Sequence, residues 1–157
     1  MAQFYPFCGV KRAGWWCATL VGMTMDDIIG YVSGLDGVLA LRPREGDGTP
    51  EIAWGDTFFY YSPDGSVPTN VQPFATIVTK DYPEDGSSRL DRPGFFRLNI
   101  ADVSRSAVAQ ADADPSDEDV VFPHPVYGRM GWVSIVNPGE RTDAVARELL
   151  EAGYRTA

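Results

Sequence analysis

The sequence predicts an α+β fold, an antiparallel sheet of about five to six strands with the N-terminal and C-terminal helices packed on one face. Three observations predict it. An amphipathic helical pattern stands near the start, a second one closes the chain, and between them lie short apolar runs separated by Gly, Pro and Asp turn signals.

The first helix opens at Thr24-Met25-Asp26-Asp27, where a hydroxyl cap is followed by acids that complement the helix dipole. Met25, Ile28, Ile29, Val32 and Leu35 then recur at helical spacing and define one buried face, and Gly34 and Gly37 end the helix. Residues 38–41 read as the first strand and 42–50 as a polar loop. Residues 51–54 and 57–61 read as short strands around a Gly55-Asp56 turn, and Ser62-Pro63-Asp64-Gly65 is a further turn. Residues 74–79 form a β-branched strand. The following loop, 80–93, is longer than a simple connection needs. In 95–100, Phe96, Leu98 and Ile100 alternate with Arg97 and Asn99, so Arg97 and Asn99 share the polar face. Residues 104–111 suit a short helix, 112–119 an acidic loop, and 132–136 the last strand. Thr142 is read as the cap of a final helix whose inward stripe is Val145, Leu149 and Leu150.

At 157 residues, 44% of them apolar, the chain supports one hydrophobic core. The pattern places that single domain at 23–157. Residues 1–22 read as an extension, or as the product of a translation start set too early, because Met23 and Met25 stand just before the helix. Residues 15–21, behind Lys11 and Arg12, faintly resemble a signal peptide but are too short to span a membrane. Cys8 and Cys17 have no His, Asp or Glu between them to complete a metal site, so they read as free thiols of a cytoplasmic protein. The formal charge of −9 disfavours binding to a phosphate backbone.

No Walker loop, dinucleotide-binding glycine pattern, His-Glu-x-x-His or Cys-x-x-Cys occurs, so neither cofactor nor metal is expected. The acidic loop lacks the central glycine and terminal glutamate of a calcium loop, and reads as a solvated turn. Cations do gather at Lys80, Arg89, Arg92 and Arg97, an arrangement that suits an anionic ligand. Asp81, Glu84, Asp85 and Asp91 lie in the same loop, and a local salt-bridge network is the plainer reading. His124, the only histidine, sits between Pro123 and Pro125 on a stiff turn, where it shapes the loop, contacts a ligand or acts as a base.

The predicted role is therefore non-catalytic binding of a small molecule, anionic or not, or of a protein partner. The pocket residues are Trp54, Asp56, Arg92, Arg97, Asn99, His124 and Tyr127. Arg97, Asn99 and His124 are expected to converge on one solvent-accessible pocket with Trp54 or Tyr127 as a wall. The rival reading is a small enzyme with His124 as general base oriented by Asp56. No nucleophile pattern such as Gly-x-Ser-x-Gly accompanies them, so no catalytic residue is assigned.

The strings Pro50-Glu51-Ile52-Ala53-Trp54-Gly55-Asp56-Thr57-Phe58-Phe59-Tyr60 and Pro73-Phe74-Ala75-Thr76-Ile77-Val78-Thr79 resemble a bacterial family, domain-of-unknown-function family 6194. Leu90-Asp91-Arg92-Pro93, Phe96-Arg97-Leu98-Asn99-Ile100 and the stretch 124–138 extend the resemblance, which covers 23–157. Between 103 and 119 the chain departs from the family pattern, being alanine-rich and acidic where the family has a longer helix with aromatic positions. The resemblance implies a fold and no reaction. More distantly, the order of elements resembles double-wing domains of frataxin-like topology, which adds a third reading, a nucleic-acid binder, that the net charge opposes.

Overall fold

The computed structural model describes residues 22–101 and 108–157. Cys8, Cys17, the signal-like run 15–21 and the first half of the helix expected at 104–111 lie outside the described residues, and 108–111 are not helical.

Helix α1 spans Met25–Ser33 and is closed at its start by a capping box, in which the Thr24 hydroxyl accepts from the Asp27 amide and the Asp27 carboxylate accepts from the Thr24 amide. Six strands follow: β1 Val38–Leu41, β2 Thr57–Tyr61, β3 Ala75–Val78, β4 Arg97–Ile100, β5 Val121–Pro123 and β6 Val133–Val136. All pair antiparallel in the order β1-β2-β3-β4-β6-β5, so β6 returns beside β4 and leaves β5 on the edge. Helix α2, Asp143–Thr156, closes the chain.

Alternation along the strands gives the sheet two faces of different character. Phe59, Ala75, Ile77, Leu98, Ile100, Val133 and Ile135 lie in one core cluster with Ile28 and Val32 of α1 and Ala146, Leu149 and Leu150 of α2. Gly153 lets α2 approach the sheet closely, since a Cβ there would stand 3.0 Å from Ile100 Cγ2 and 3.3 Å from the Phe74 carbonyl oxygen. The cross-strand row Phe58, Thr76, Asn99, Ser134, Phe122 belongs to the other face. Part of that face is closed by the loop between β3 and β4. Leu90 from this loop is buried with Val78, Phe122 and Val136, and Phe95 packs against them.

Three expectations are corrected. Residues 51–53 form a 3-10 turn rather than a strand, with the Ala53 amide donating to the Pro50 carbonyl, and Glu51 and Ile52 exposed. Strand β5 has no counterpart in the sequence reading; three residues between an acidic loop and a proline turn carry too little alternation to be seen. Thr142 stands at the N-cap of α2, but its side chain does not cap the helix.

The turn that leads into α2 is held instead by Asp119, from the loop read as solvated. Its carboxylate accepts from the amides of Gly139 (2.8 Å), Arg141 (3.0 Å) and Thr142 (2.9 Å) and from the Thr142 hydroxyl (2.6 Å). Burial pushes its carboxyl upward, but these bonds together hold it below the ordinary carboxylate range. Asp119→Ala should cost about 2–3 kcal/mol, the loss of a charged acceptor shared by three amides of the turn before α2. Urea unfolding checks this, with Asp112→Ala as a neutral comparison.

Candidate functional site

Arg97 and Asn99 point away from the core as the alternation requires, yet each is only 2% exposed. For Arg97 the reason is the loop 79–96, which folds back over the sheet. The Asp81 carboxylate accepts the Leu90 amide, that of Asp91 accepts the Asp81 amide, and Tyr82 bridges to Asp85. Pinned in this way, the loop delivers Asp85 and Ser88 to the guanidinium. Arg97 Nη1 donates to Asp85 Oδ1 (3.0 Å) and Ser88 Oγ (2.9 Å), Nη2 donates to Asp85 Oδ2, and Nε donates to Asn99 Oδ1 (2.8 Å). Burial pushes the Asp85 carboxyl up, but the hydrogen bonds and charge of Arg97 more than offset this and hold it below its usual range.

The network continues across the sheet. Asn99 Oδ1 also accepts from Ser134 Oγ (2.8 Å), and its Nδ2 donates to Thr76 Oγ1 (3.0 Å). Because β3, β4 and β6 are adjacent and in register at Thr76, Asn99 and Ser134, one row of small polar side chains spans three strands.

His124 follows β5 directly and is fixed by its own turn. Its amide donates to the Trp132 carbonyl, and its carbonyl accepts from Gly128. The amides of Val126 and Tyr127 both donate to Nδ1, at 3.1 Å each. Nε2 stands 3.3 Å from Arg97 Nη2 and 3.8 Å from Asp85 Oδ2. Burial first, then the Arg97 charge, lower the imidazole pKa to about 4 against the opposing pull of Asp85, so the ring is neutral at pH 7. With Nδ1 accepting from two amides, the neutral ring carries its proton on Nε2.

Above these groups lies an open cavity of about 630 Å³. Thr76, Asn99, Arg97 and His124 form its polar floor; Phe58, Tyr60, Val78, Tyr127 and Trp132 contribute apolar walls. Tyr127 lies against His124 with ring centroids 4.9 Å apart, and Trp132 meets both rings at 6.1 Å. Ile52, Val126 and Tyr127, at 43%, 45% and 49% exposure, leave an apolar rim open to solvent.

Arg97, Asn99, His124 and Tyr127 thus line one cavity, while Trp54, Asp56 and Arg92 do not. Trp54 donates its indole N–H to the Thr49 carbonyl. Asp56 is buried at the start of β2, where it accepts from the Thr79 amide and hydroxyl, Lys80 Nζ and the Tyr82 hydroxyl. Burial, then this bond to Asp56, raise the Tyr82 pKa. With both oxygens so engaged, Asp56 does not orient His124, since β3, β4 and β6 separate its strand from β5. Arg92 donates to the carbonyls of Arg89 and Ser88 and lies 3.6 Å over the Phe95 ring.

Lys80, Arg92 and Arg97 are therefore engaged within the fold, and Arg97 offers no free bidentate fork to an anion. Asp85, Thr76, Phe58, Tyr60 and Trp132 were not assigned to the site from sequence. The register of β2, β3 and β4 puts Phe58 and Thr76 beside Asn99, a relation no local pattern reveals.

The family of unknown function DUF6194 matches residues 23–157, nearly the whole described region. The chain belongs to this family. No curated protein and no solved structure matches it. Among the described residues, no helix is long and apolar enough to cross a membrane, and no cluster of three or more His, Cys, Asp or Glu could hold a metal ion.

Proposed function

We propose that this domain binds a small molecule, without catalysis, in the cavity on the helix-free face of the sheet. The observation that carries the reading is an apolar, solvent-exposed rim and aromatic walls standing over a buried floor of oriented polar groups. Small-molecule sites have this composition, and the cavity falls within their usual range of roughly 300–1,000 Å³. Three features favour binding over chemistry. The imidazole has backbone amides rather than a carboxylate on Nδ1, its acid form is suppressed at neutral pH, and among the described residues no activated nucleophile adjoins it.

A thermal-shift screen of planar fragments tests the reading, since a ligand of the folded state raises the midpoint. Hits are expected with the wild-type protein and not with Ala53→Trp, which fills the cavity from its wall. Equal hits in both proteins, or none in a broad library, would overturn it.

The acidic chain, at net −9, favours a partner other than nucleic acid. No duplex retention is expected in a gel-shift titration to low micromolar protein in about 150 mM salt, where even general binders are weak. Retention there would restore the nucleic-acid reading.

A further inference from the structure

We infer that the cavity's ligand is a flat, uncharged molecule bearing a carbonyl oxygen, which seats over Nη2 of Arg97 and Nε2 of His124. The inference rests on the binding reading above and specifies what is bound. Arg97 Nη2 has two hydrogens, and one goes to Asp85 Oδ2. The other faces His124 Nε2 at 3.3 Å, and that nitrogen also carries a proton because Nδ1 accepts from the Val126 and Tyr127 amides. The nearest carboxylate oxygen to Nε2 is Asp85 Oδ2 at 3.8 Å, beyond hydrogen-bond reach.

Two donors therefore confront each other with no acceptor between them among the described residues, on side chains 2% and 5% exposed that line the cavity. Buried donors left in this state are costly, and one oxygen placed over both relieves them together. Beside them Asn99 Nδ2 keeps a second hydrogen, and the Thr76 hydroxyl, which accepts from Asn99, has no acceptor of its own among the described residues. The spare valences of the floor are thus chiefly donors, and the complementary ligand atom is an acceptor.

Charge selects the kind of acceptor. The charged side chains lining the cavity are one cation, Arg97, and two carboxylates, Glu84 and Asp85, so a ligand carboxylate or phosphate meets a surplus of negative charge. A neutral carbonyl carries no such penalty. Tyr127, Trp132 and Phe58 favour a flat, apolar body behind it.

Indole-3-carboxamide, indole-3-carboxylate and 3-methylindole form a matched set of probes. Titrations are read by fluorescence-independent calorimetry and by the imidazole 15N signals, which come from a single histidine. The carboxamide is expected to bind at least tenfold more tightly than either of the others and to shift the Nε2 resonance. Tighter binding of the carboxylate, equal binding of 3-methylindole, or carboxamide binding that leaves Nε2 unmoved would each overturn the carbonyl inference while leaving the cavity a binding site. Failure of all three to bind at millimolar concentration would count against the binding reading itself.

Discussion

Replacing Arg97 with methionine is expected to destabilise the domain by about 3–5 kcal/mol, the range seen when one partner of a buried ion pair is removed. Methionine preserves the aliphatic volume and takes away every donor. Asp85 loses the cation it pairs with, while Asn99 Oδ1 and Ser88 Oγ each lose a bond. The loop carrying Asp85 would also lose one of its ties to the sheet, leaving the packing of Leu90 and Phe95 and the bonds of Lys80 and Tyr82 to Asp56. Urea unfolding should show the loss as a lower midpoint with little change in slope. The double variant Arg97→Met with Asp85→Leu should recover a substantial part, because an apolar replacement of both partners strands no charge. A single variant within about 1 kcal/mol of wild type would mean that the guanidinium network is not what holds the loop, since even one charged hydrogen bond exceeds that.

Acid should weaken the domain as its one imidazole is forced to take up a proton. The His124 imidazole has a pKa of about 4 in the fold against 6.5 for the ordinary group. Between those values the unfolded chain binds the extra proton, so stability is full above about pH 6.5 and falls as pH drops toward 4. The loss approaches about 3 kcal/mol at the acid end, from 1.36 kcal/mol for each unit of displacement. The pKa values of Asp85 and Asp119 are lowered from 3.8, and their contributions persist through this window and are lost only at more acid pH. His124→Asn keeps an acceptor for the Val126 and Tyr127 amides but cannot be protonated. Its unfolding free energy should therefore be nearly flat between pH 6.5 and 4.5. A wild-type curve equally flat in that range would contradict the burial and charge assigned to the ring.

Residues whose environment is local were legible in the sequence. The α1 start follows from Thr24 and Asp27 three positions apart, and the two-faced character of β4 follows from Phe96 to Ile100. His124 on a proline-bounded turn is local as well. What escaped depends on long-range pairing. Asp119 holds the turn before α2, 20 and more residues further along the chain, and it does so with a backbone φ of 58° that only the folded loop reveals. Arg97 and Asn99 read as a solvent-facing pair because nothing in the strand announces that loop 79–96 will cover Arg97 or that Thr76 and Ser134 will flank Asn99. Asp85 and Ser88 reach Arg97 from 12 and 9 residues away. Asp56 next to a turn looked like a partner for His124, whereas the strand order places it instead against Thr79, Lys80 and Tyr82.

The floor of the cavity depends on one protonation state, and the chain's single histidine allows it to be observed directly. In a long-range 1H–15N spectrum of histidine-labelled protein at pH 7, Nε2 should appear as the protonated nitrogen and Nδ1 as the bare one, with the pattern unchanged down to about pH 5, a unit above the expected pKa. A proton found on Nδ1, or an imidazolium already formed at pH 6, would contradict the account, because the paired donors over which the ligand oxygen is placed would then not exist.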